Sequence, residues 1–296
     1  MLAEPAPVRD FAAAVPSPLV ELSDERLAAR DVRVWLKRDD LIHPEMPGNK
    51  WRKLKYNLST ARAHGHDTLL TFGGAYSNHI GAVAAAGHYF GFSTIGVIRG
   101  EEHLPLNPTL DHATGRGMRL VYLDRTTYRE KRSPAVVEGL RAAFGDFYLL
   151  PEGGSNAFAL RGCAELPAEI EIDYDLICCA CGTGGTLAGI AAGLTGERRA
   201  LGFAVLKGGG FLADEVRRLQ ADYRRATRNW SVETEFHFGG FAKGGAELSA
   251  FIADFRERHG VALDRVYVGK MMYGLYTLIG RGAFPSASRI VAVVTG

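Results

Sequence analysis

The sequence predicts an α/β protein with two open, twisted parallel sheets. Short runs rich in β-branched residues alternate with alanine-rich helical patterns, which is typical of parallel strands joined by crossover helices. The chain has 296 residues, more than one hydrophobic core usually spans, so two lobes are expected. Glycine is abundant, with 36 residues, which indicates a backbone that turns sharply or approaches a ligand closely at several places.

Nine short apolar runs are the candidate strands, and helical patterns separate most of them. The strands are predicted at residues 34–37, 68–72, 94–98, 120–123, 148–150, 176–180, 203–206, 265–267 and 290–294. The helices are predicted at about residues 49–64, 77–90, 107–116 and 156–168, and after the glycine-rich turn at 182–185. This order predicts a larger domain, residues 1–51 and 148–296, with a smaller α/β domain, residues 52–147, inserted into it.

Composition excludes several classes of protein. Hydrophobic residues make up 47% and charged residues 23% of the chain, which excludes a disordered chain, a collagen-like repeat and a disulfide-dense scaffold. The net charge of +2 does not favour a nucleic-acid partner. No apolar run reaches the roughly 18–20 residues of a membrane helix, and the N-terminus lacks the pattern of a signal peptide. We therefore expect a cytoplasmic protein.

The four cysteines favour the same compartment. Cys178, Cys179 and Cys181 lie in one strongly apolar stretch, and Cys163 lies apart from them. No histidine is near the group, and zinc sites usually combine two separated pairs of ligands. We interpret these residues as small buried hydrophobic side chains, with no metal site, in a reducing environment.

The best candidate for binding an anion is the turn after the strand at 176–180. Residues 181–186 read Cys-Gly-Thr-Gly-Gly-Thr and open a helix. Backbone N–H groups of the glycines, the hydroxyls of Thr183 and Thr186 and the helix N-terminus all favour a phosphate. The turn lacks the lysine of a Walker loop and the spacing of a dinucleotide site, so one phosphate is expected. A turn that binds nothing is the alternative.

A cationic segment supplies a candidate nucleophile. Residues 47–55 read Pro-Gly-Asn-Lys-Trp-Arg-Lys-Leu-Lys at the start of a predicted helix. Lys53 and Lys55 are interpreted as part of a solvated helix face. Lys50 follows the loop directly, where the positive end of the helix would favour the neutral amine that attacks a carbonyl.

Four further segments place polar residues at predicted strand ends, where ligands of open α/β sheets collect. Residues 73–79 read Gly-Gly-Ala-Tyr-Ser-Asn-His, in which Ser77 and Asn78 are either helix caps or ligand-binding residues. The Gly-Gly-Ser-Asn of residues 153–156 is interpreted as a helix cap. Tyr267 and Thr295 each lie at the end of a predicted strand, and each is either a site residue or part of an ordinary strand-to-loop transition.

Together these motifs resemble one family over nearly the whole chain. The segments at 36–41, 48–53, 77–79, 182–186 and 267–270 are similar to those of D-cysteine desulfhydrases and 1-aminocyclopropane-1-carboxylate deaminases. Those enzymes depend on pyridoxal 5′-phosphate (PLP) and have the tryptophan-synthase-β fold, known as fold type II. The resemblance implies a PLP-dependent lyase or deaminase (a hydrolase) of a small amino acid, and we expect a homodimer.

The resemblance also implies roles for individual residues. Lys50 would bind the cofactor covalently, Asn78 would bond its 3′-oxygen, and Ser77 would lie near the substrate carboxylate or α-proton. Tyr267 matches an active-site tyrosine, and Thr295 is placed to meet the pyridine nitrogen. The 5′-phosphate would be held by Gly182, Thr183, Gly184, Gly185 and Thr186.

Two departures from the family pattern rank the reactions. Val268 stands where the deaminases have a glutamate that contacts the pyridine nitrogen, and Phe241 stands where they have a second tyrosine. A neutral partner such as Thr295 makes the ring a weaker electron sink, which suits expulsion of a thiolate better than opening of a cyclopropane. β-Elimination from D-cysteine therefore ranks first, ring opening second, and a non-catalytic PLP-binding protein third.

Overall fold

The computed structural model describes residues 13–295 and confirms the α/β class. Residues 1–12 and Gly296 lie outside the described residues, as does the segment on which the absence of a signal peptide was predicted. The strands of the described part are β1 (Leu19–Glu21), β2 (Arg33–Arg38), β3 (Thr68–Gly73), β4 (Ser93–Arg99), β5 (Arg119–Leu123), β6 (Tyr148–Leu150), β7 (Leu176–Cys181), β8 (Arg199–Ala204), β9 (Trp230–Glu233) and β10 (Arg289–Val294).

Helices occupy most connections between these strands. They are α1 (Glu25–Ala28), α2 (Asn49–Ala63), α3 (Asn78–Phe90), α4 (Pro108–Gly115), α5 (Arg125–Arg129), α6 (Pro134–Phe144), α7 (Ala157–Ala164), α8 (Gly185–Gly193), α9 (Phe211–Asp222), α10 (Ala246–His259) and α11 (Val268–Gly280). Short 3-10 turns lie at Asp39–Leu41, Glu152–Gly154 and Leu166–Glu169. Within residues 13–295, no helix is both long enough and apolar enough to cross a membrane.

The larger sheet has six strands in the order β1-β2-β10-β7-β8-β9. All neighbours are parallel except β1, which pairs antiparallel with β2 at the edge. Ile290 and Ala292 of the central strand β10 face one hydrophobic core, while Val291 and Val293 face another. Burial of both faces explains why this strand reads as a continuous apolar run.

The smaller sheet has four parallel strands in the order β5-β4-β3-β6. Its strand β6 pairs with β3, although the sequence analysis assigned residues 148–150 to the larger domain. Residues 148–150 therefore belong to the smaller sheet. The division into two domains otherwise stays a prediction.

Several predicted elements differ from those observed. Residues 265–267 are not a strand but a turn, because Asp264 accepts hydrogen bonds from the three N–H groups that lead into α11. Of the strand predicted at 203–206, residues 203–204 are the end of β8, and residues 205–206 lie in the loop after it. The helix predicted at 156–168 ends at Ala164, and a 3-10 turn that contains Pro167 follows it.

The interpretation of Lys53 and Lys55 as a solvated face is wrong. Their exposed fractions are 4% and 8%, because α2 is enclosed by α7 and by the core of the smaller sheet. Two cations of this helix form ion pairs with carboxylates, and one of them is Lys55 with Glu165. Arg52, which is 1% exposed, donates to Asp39 at 2.6 and 2.8 Å and to Glu169 at the same two distances. Its charge is therefore compensated in the interior.

Candidate active site

A cleft of about 630 Å³ lies where strands of both sheets end. The residues that follow β3, β7 and β10 line it, as does Arg99, the last residue of β4. Open parallel sheets bind ligands at this edge. All ten predicted site residues line the cleft: Lys50, Ser77, Asn78, Gly182, Thr183, Gly184, Gly185, Thr186, Tyr267 and Thr295.

The loop between β2 and α2 presents Lys50. Gly48 has φ +56°, and a Cβ atom there would lie 2.2 Å from the carbonyl oxygen of Thr295. Only glycine permits this approach, which seats the start of α2 against the end of β10. The Lys50 amine donates to Asn49 Oδ1 at 2.7 Å. Burial, and secondarily the positive charge of Lys53, lower the pKa of Lys50 to about 7.

The turn between β7 and α8 has the form expected of an anion site. Gly184 is left-handed, with φ +76°, and α8 begins at the next residue with no side-chain cap. The first N–H groups of a helix have no partner within it and carry partial positive charge. Thr186 accepts a hydrogen bond from Asn49 Nδ2 at 3.0 Å, which ties this turn to the Lys50 loop.

The buried side chain of Lys53 lies beneath this turn, which the sequence pattern did not indicate. Lys53 donates to the carbonyl of Gly153 at 3.0 Å and to Ser155 Oγ at 3.2 Å, and Ser155 Oγ lies 2.7 Å from Thr183 Oγ1. A Cβ atom on Gly185 would lie 3.3 Å from Lys53 Nζ. A buried cation therefore lies directly under the proposed phosphate loop. The spacing of Lys53 and Lys50, almost one helical turn, was the available signal.

The two Gly-Gly turns differ in how their polar residues act. Ser77 occupies the N-cap position of α3 but makes no side-chain cap bond, so its capping interpretation is wrong. Asn78 is exposed to the cleft. Asn156, by contrast, accepts a hydrogen bond from the N–H of Ala159 at 2.9 Å, which confirms the cap predicted for the second turn.

His79 is a further cleft residue that the sequence did not single out. Its Nε2 lies 2.9 Å from Thr71 Oγ1, and that hydroxyl donates to the carbonyl of Leu150 at 3.0 Å. Nε2 must therefore carry the proton and donate it. Nδ1 is then an acceptor, buried and without a partner among the described residues. Burial, Lys50 and Lys53 hold the pKa of His79 well below its usual range, so the ring is neutral.

Tyr267 precedes α11 and faces Phe241 across the cleft. Their ring centroids are 5.8 Å apart in an edge-to-face arrangement. Burial, followed by the charges of Asp264 and Glu152, raises the pKa of Tyr267 to about 12, so its hydroxyl stays protonated at neutral pH. Val268 is packed in the core of the larger sheet, whereas Thr295 lines the cleft.

These residues fit PLP in type and placement. An uncapped helix start with a left-handed glycine suits the phosphate, and a partly buried lysine of lowered pKa suits covalent attachment. Hydroxyl, amide and imidazole groups line the space between them. Among residues 13–295, no group of three or more His, Cys, Asp or Glu side chains is arranged to hold a metal ion.

Comparison with known proteins gives a consistent result. Residues 12–296 match the family described as pyridoxal-phosphate dependent enzyme. A Pyrococcus horikoshii protein named provisionally as a 1-aminocyclopropane-1-carboxylate deaminase is 31% identical, over 89% of this chain and 84% of its own. The bifunctional D-cysteine desulfhydrase/1-aminocyclopropane-1-carboxylate deaminase of Arabidopsis thaliana is 31% identical, over 82% of this chain and 66% of its own.

A solved structure extends the comparison to the fold. The crystal structure of a homologue of 1-aminocyclopropane-1-carboxylate (ACC) deaminase superposes with a TM-score of 0.86 at 28% identity. The match covers 98% of this chain and 91% of the other. The fold is therefore that of the fold type II enzymes, as the motifs predicted. The chain belongs to the family of pyridoxal-phosphate dependent enzymes, and its cofactor is PLP.

Proposed function

We propose that the protein is a lyase that eliminates the β-substituent of a small D-amino acid, with D-cysteine as the leading case. In this reaction the α-proton leaves carbon, and the Cβ–S bond breaks with its electron pair going to sulfur. Water then releases pyruvate and ammonia from the remaining enamine. PLP, when bound, supplies the electron sink that stabilises negative charge at the α-carbon.

Different residues of the cleft attach the cofactor, bind its phosphate and bind the substrate. Lys50, with a pKa of about 7, has enough neutral amine at physiological pH to attach the cofactor. The turn at 182–186 holds the phosphate, with Lys53 beneath it. Ser77 and the free N–H groups at the start of α3 receive the substrate carboxylate, and Asn78 bonds the 3′-oxygen. Tyr267 stays protonated and donates a hydrogen bond.

The preference for elimination rests on the group available to the pyridine nitrogen. Val268, which replaces the glutamate of the deaminases, is 1% exposed and belongs to the core, so it supplies no acid to the cleft. Thr295 offers a neutral hydroxyl at the end of β10. A neutral partner leaves the ring a weaker sink, and elimination tolerates this because the departing thiolate removes the charge.

Ring opening of 1-aminocyclopropane-1-carboxylate, which yields 2-oxobutanoate and ammonia, is the second candidate. It is favoured by the names of relatives from Pyrococcus horikoshii and Arabidopsis thaliana and of the superposed structure. The Arabidopsis name joins both activities in one protein, so the family relationship supports either reaction. The choice therefore depends on the residues around the pyridine nitrogen.

The decisive experiment locates the cofactor and then measures products. Borohydride reduction of the holoenzyme and peptide mapping should place the pyridoxyl group on Lys50, and label on Lys53 or on any other lysine would contradict the assignment. Pyruvate is then measured from D-cysteine, L-cysteine and D-serine, and 2-oxobutanoate from the cyclopropane. The Lys50→Ala variant is the control and should release neither. Bound cofactor without any product from the wild type would favour the non-catalytic alternative.

Two further expectations complete the proposal. All four cysteines are buried and unpaired, which supports a reducing, cytoplasmic location. A homodimer is expected from the family resemblance. Light scattering coupled to gel filtration would test it.

A further inference from the structure

The charged side chains of the cleft are mostly paired with one another or with neighbours. Glu215 binds Arg132 at 2.9 Å and Arg218 at 2.8 Å. Glu152 accepts from Tyr128 at 2.9 Å and lies 3.2 Å from Lys131. Neither carboxylate is therefore left to balance another cation in the cleft.

Arg99 is different. It is the last residue of β4, it lines the cleft, and its side chain is exposed there. Among residues 13–295, no carboxylate lies within ion-pair distance of its guanidinium. A full positive charge thus faces the cleft without an opposite charge from this part of the chain.

The position of Arg99 is on the substrate side of the cleft rather than the phosphate side. Ile98 pairs with Gly73 in the smaller sheet, so Arg99 lies beside the turn that leads to Ser77. A Cβ atom built on Gly74 would lie 3.7 Å from Arg99 Nη2. The phosphate turn, at 182–186, follows β7 of the other sheet.

We propose that Arg99 binds the β-substituent of the substrate as an anion, so the preferred substrates are small amino acids whose β-group is, or becomes, negatively charged. This inference rests on the proposed function, because it assigns the α-carboxylate to the start of α3. A thiolate that leaves from cysteine is such an anion. So is a carboxylate, sulfinate or phosphate carried on the β-carbon.

The physical basis is the guanidinium's fixed charge and planar donors. Arginine is always protonated and donates two parallel hydrogen bonds to an oxyanion. A substrate that fills the cleft displaces water, which strengthens the attraction. Hydrogen bonds to charged groups are stronger than neutral ones, and we expect about a tenfold effect on affinity at this open position.

The test compares ligands that differ only in the charge of the β-group. Aspartate and asparagine, in both enantiomers, are titrated calorimetrically into the holoenzyme, which requires no turnover. The wild type should bind aspartate about tenfold more tightly than asparagine in the preferred enantiomer. Arg99→Gln should abolish that ratio, whereas Arg132→Gln, which changes the other cleft arginine, should keep it.

Other outcomes would overturn the proposal. Equal weakening of aspartate and asparagine by Arg99→Gln would assign Arg99 to the α-carboxylate. An unchanged ratio, a wild type without preference, or no binding of any of the four ligands would leave Arg99 as a surface charge. Pyruvate release from β-chloro-D-alanine, measured on the same preparations, tests the lyase separately. Its absence contradicts the proposed function without altering the calorimetric result.

Discussion

Lys50 shares its surroundings with a second buried lysine and a buried histidine. Burial disfavours its ammonium form, and the charge of Lys53 adds repulsion. Burial, followed by the charges of these two lysines, lowers the pKa of His79 and keeps its ring neutral. Burial, rather than the helix terminus expected from the sequence, is the main cause of the lowered pKa of Lys50. The consequence is a lysine amine in the cleft whose pKa lies near neutral pH.

This pKa predicts how covalent capture of PLP by the apoprotein depends on pH. Only the neutral amine attacks, so the rate should rise as pH increases and level off above the pKa of about 7. An ordinary lysine would keep gaining reactivity up to a pH of about 10.4. Stopped-flow absorbance between pH 5.5 and 10 measures the rate, with Nα-acetyllysine as the reference amine. A rate that climbs to pH 10 without a break would contradict the shifted pKa.

The limits of sequence reasoning are clearest at single residues. Lys50 could be predicted because its local motif, a glycine loop before a helix, is continuous in the chain. Lys53 was misjudged because its partners, Gly153 and Ser155, are about a hundred residues away. His79 was overlooked because its tautomer depends on a hydrogen-bond relay through Thr71 to Leu150. Long-range burial decides what such side chains do, and a local pattern does not encode it.

At the scale of elements, the site is made of turns that join strands to helices. The turns after β3 and β7 were predicted because glycines follow apolar runs directly. The Tyr267 segment was mistaken for a strand, since Arg-Val-Tyr resembles one in isolation. It is held instead by Asp264 at the start of α11. Local hydrogen bonds thus fix the Tyr267 turn, whereas the turn after β7 is tied to the distant Asn49 through Thr186.

The left-handed backbone of Gly184 in the phosphate turn allows the effect of Gly184→Ala on PLP affinity to be predicted. Its φ of +76° strains any side chain, at a cost of about 1–3 kcal/mol, and the turn should relax into a conformation that aims its N–H groups elsewhere. PLP affinity should fall by tenfold or more, which fluorescence titration measures. Gly196→Ala is the matched control: its φ is +65°, nothing lies within 4 Å of its Cβ, and it is outside the cleft. Equal losses of affinity in both variants would mean that strain alone, rather than phosphate contact, is responsible.

The hydrogen bonds that Asp264 accepts at the start of α11 lead to a second prediction at this scale. Asp264→Ala removes acceptors for the N–H groups of Val266, Tyr267 and Val268. Loss of a cap costs about 1 kcal/mol of stability, visible in denaturant unfolding. Because Asp264 accepts a hydrogen bond from the N–H of Tyr267, its loss should displace the Tyr267 side chain. We therefore expect kcat to fall more than the affinity for PLP does. Asp264→Asn, which keeps one side-chain acceptor, should recover part of both. Unchanged turnover in Asp264→Ala would show that Tyr267 is positioned by its packing alone.

At the scale of the whole molecule, the cleft depends on two sheets meeting at their carboxyl ends. Gly48 joins the Lys50 loop to β10, and Asn49 joins it to α8 through Thr186. The buried pairs of Arg52 with Asp39 and Glu169 hold α2 in place behind the site. The alternation of strands and helices predicted two sheets. It could not predict that β6 belongs to the smaller sheet, because that depends on its pairing with the distant strand β3, which no local pattern shows.

The proposed preference for elimination over ring opening can be tested directly with the two substrates. Thr295 lines the cleft, and in the proposed arrangement it would meet the pyridine nitrogen as a neutral partner, which would leave the ring a weaker electron sink for negative charge at the α-carbon. In an elimination, the departing group takes up the negative charge as it leaves. The cyclopropane substrate has no departing group, so its opening depends on the pyridine ring of the cofactor as an electron sink or on an attacking nucleophile. A tenfold rate difference corresponds to about 1.4 kcal/mol of barrier, so a modest electronic change can decide the preference. We expect kcat/KM for D-cysteine or β-chloro-D-alanine to exceed that for 1-aminocyclopropane-1-carboxylate by orders of magnitude, measured on one enzyme preparation. Comparable values would mean that the site activates the ring without an acid at position 268.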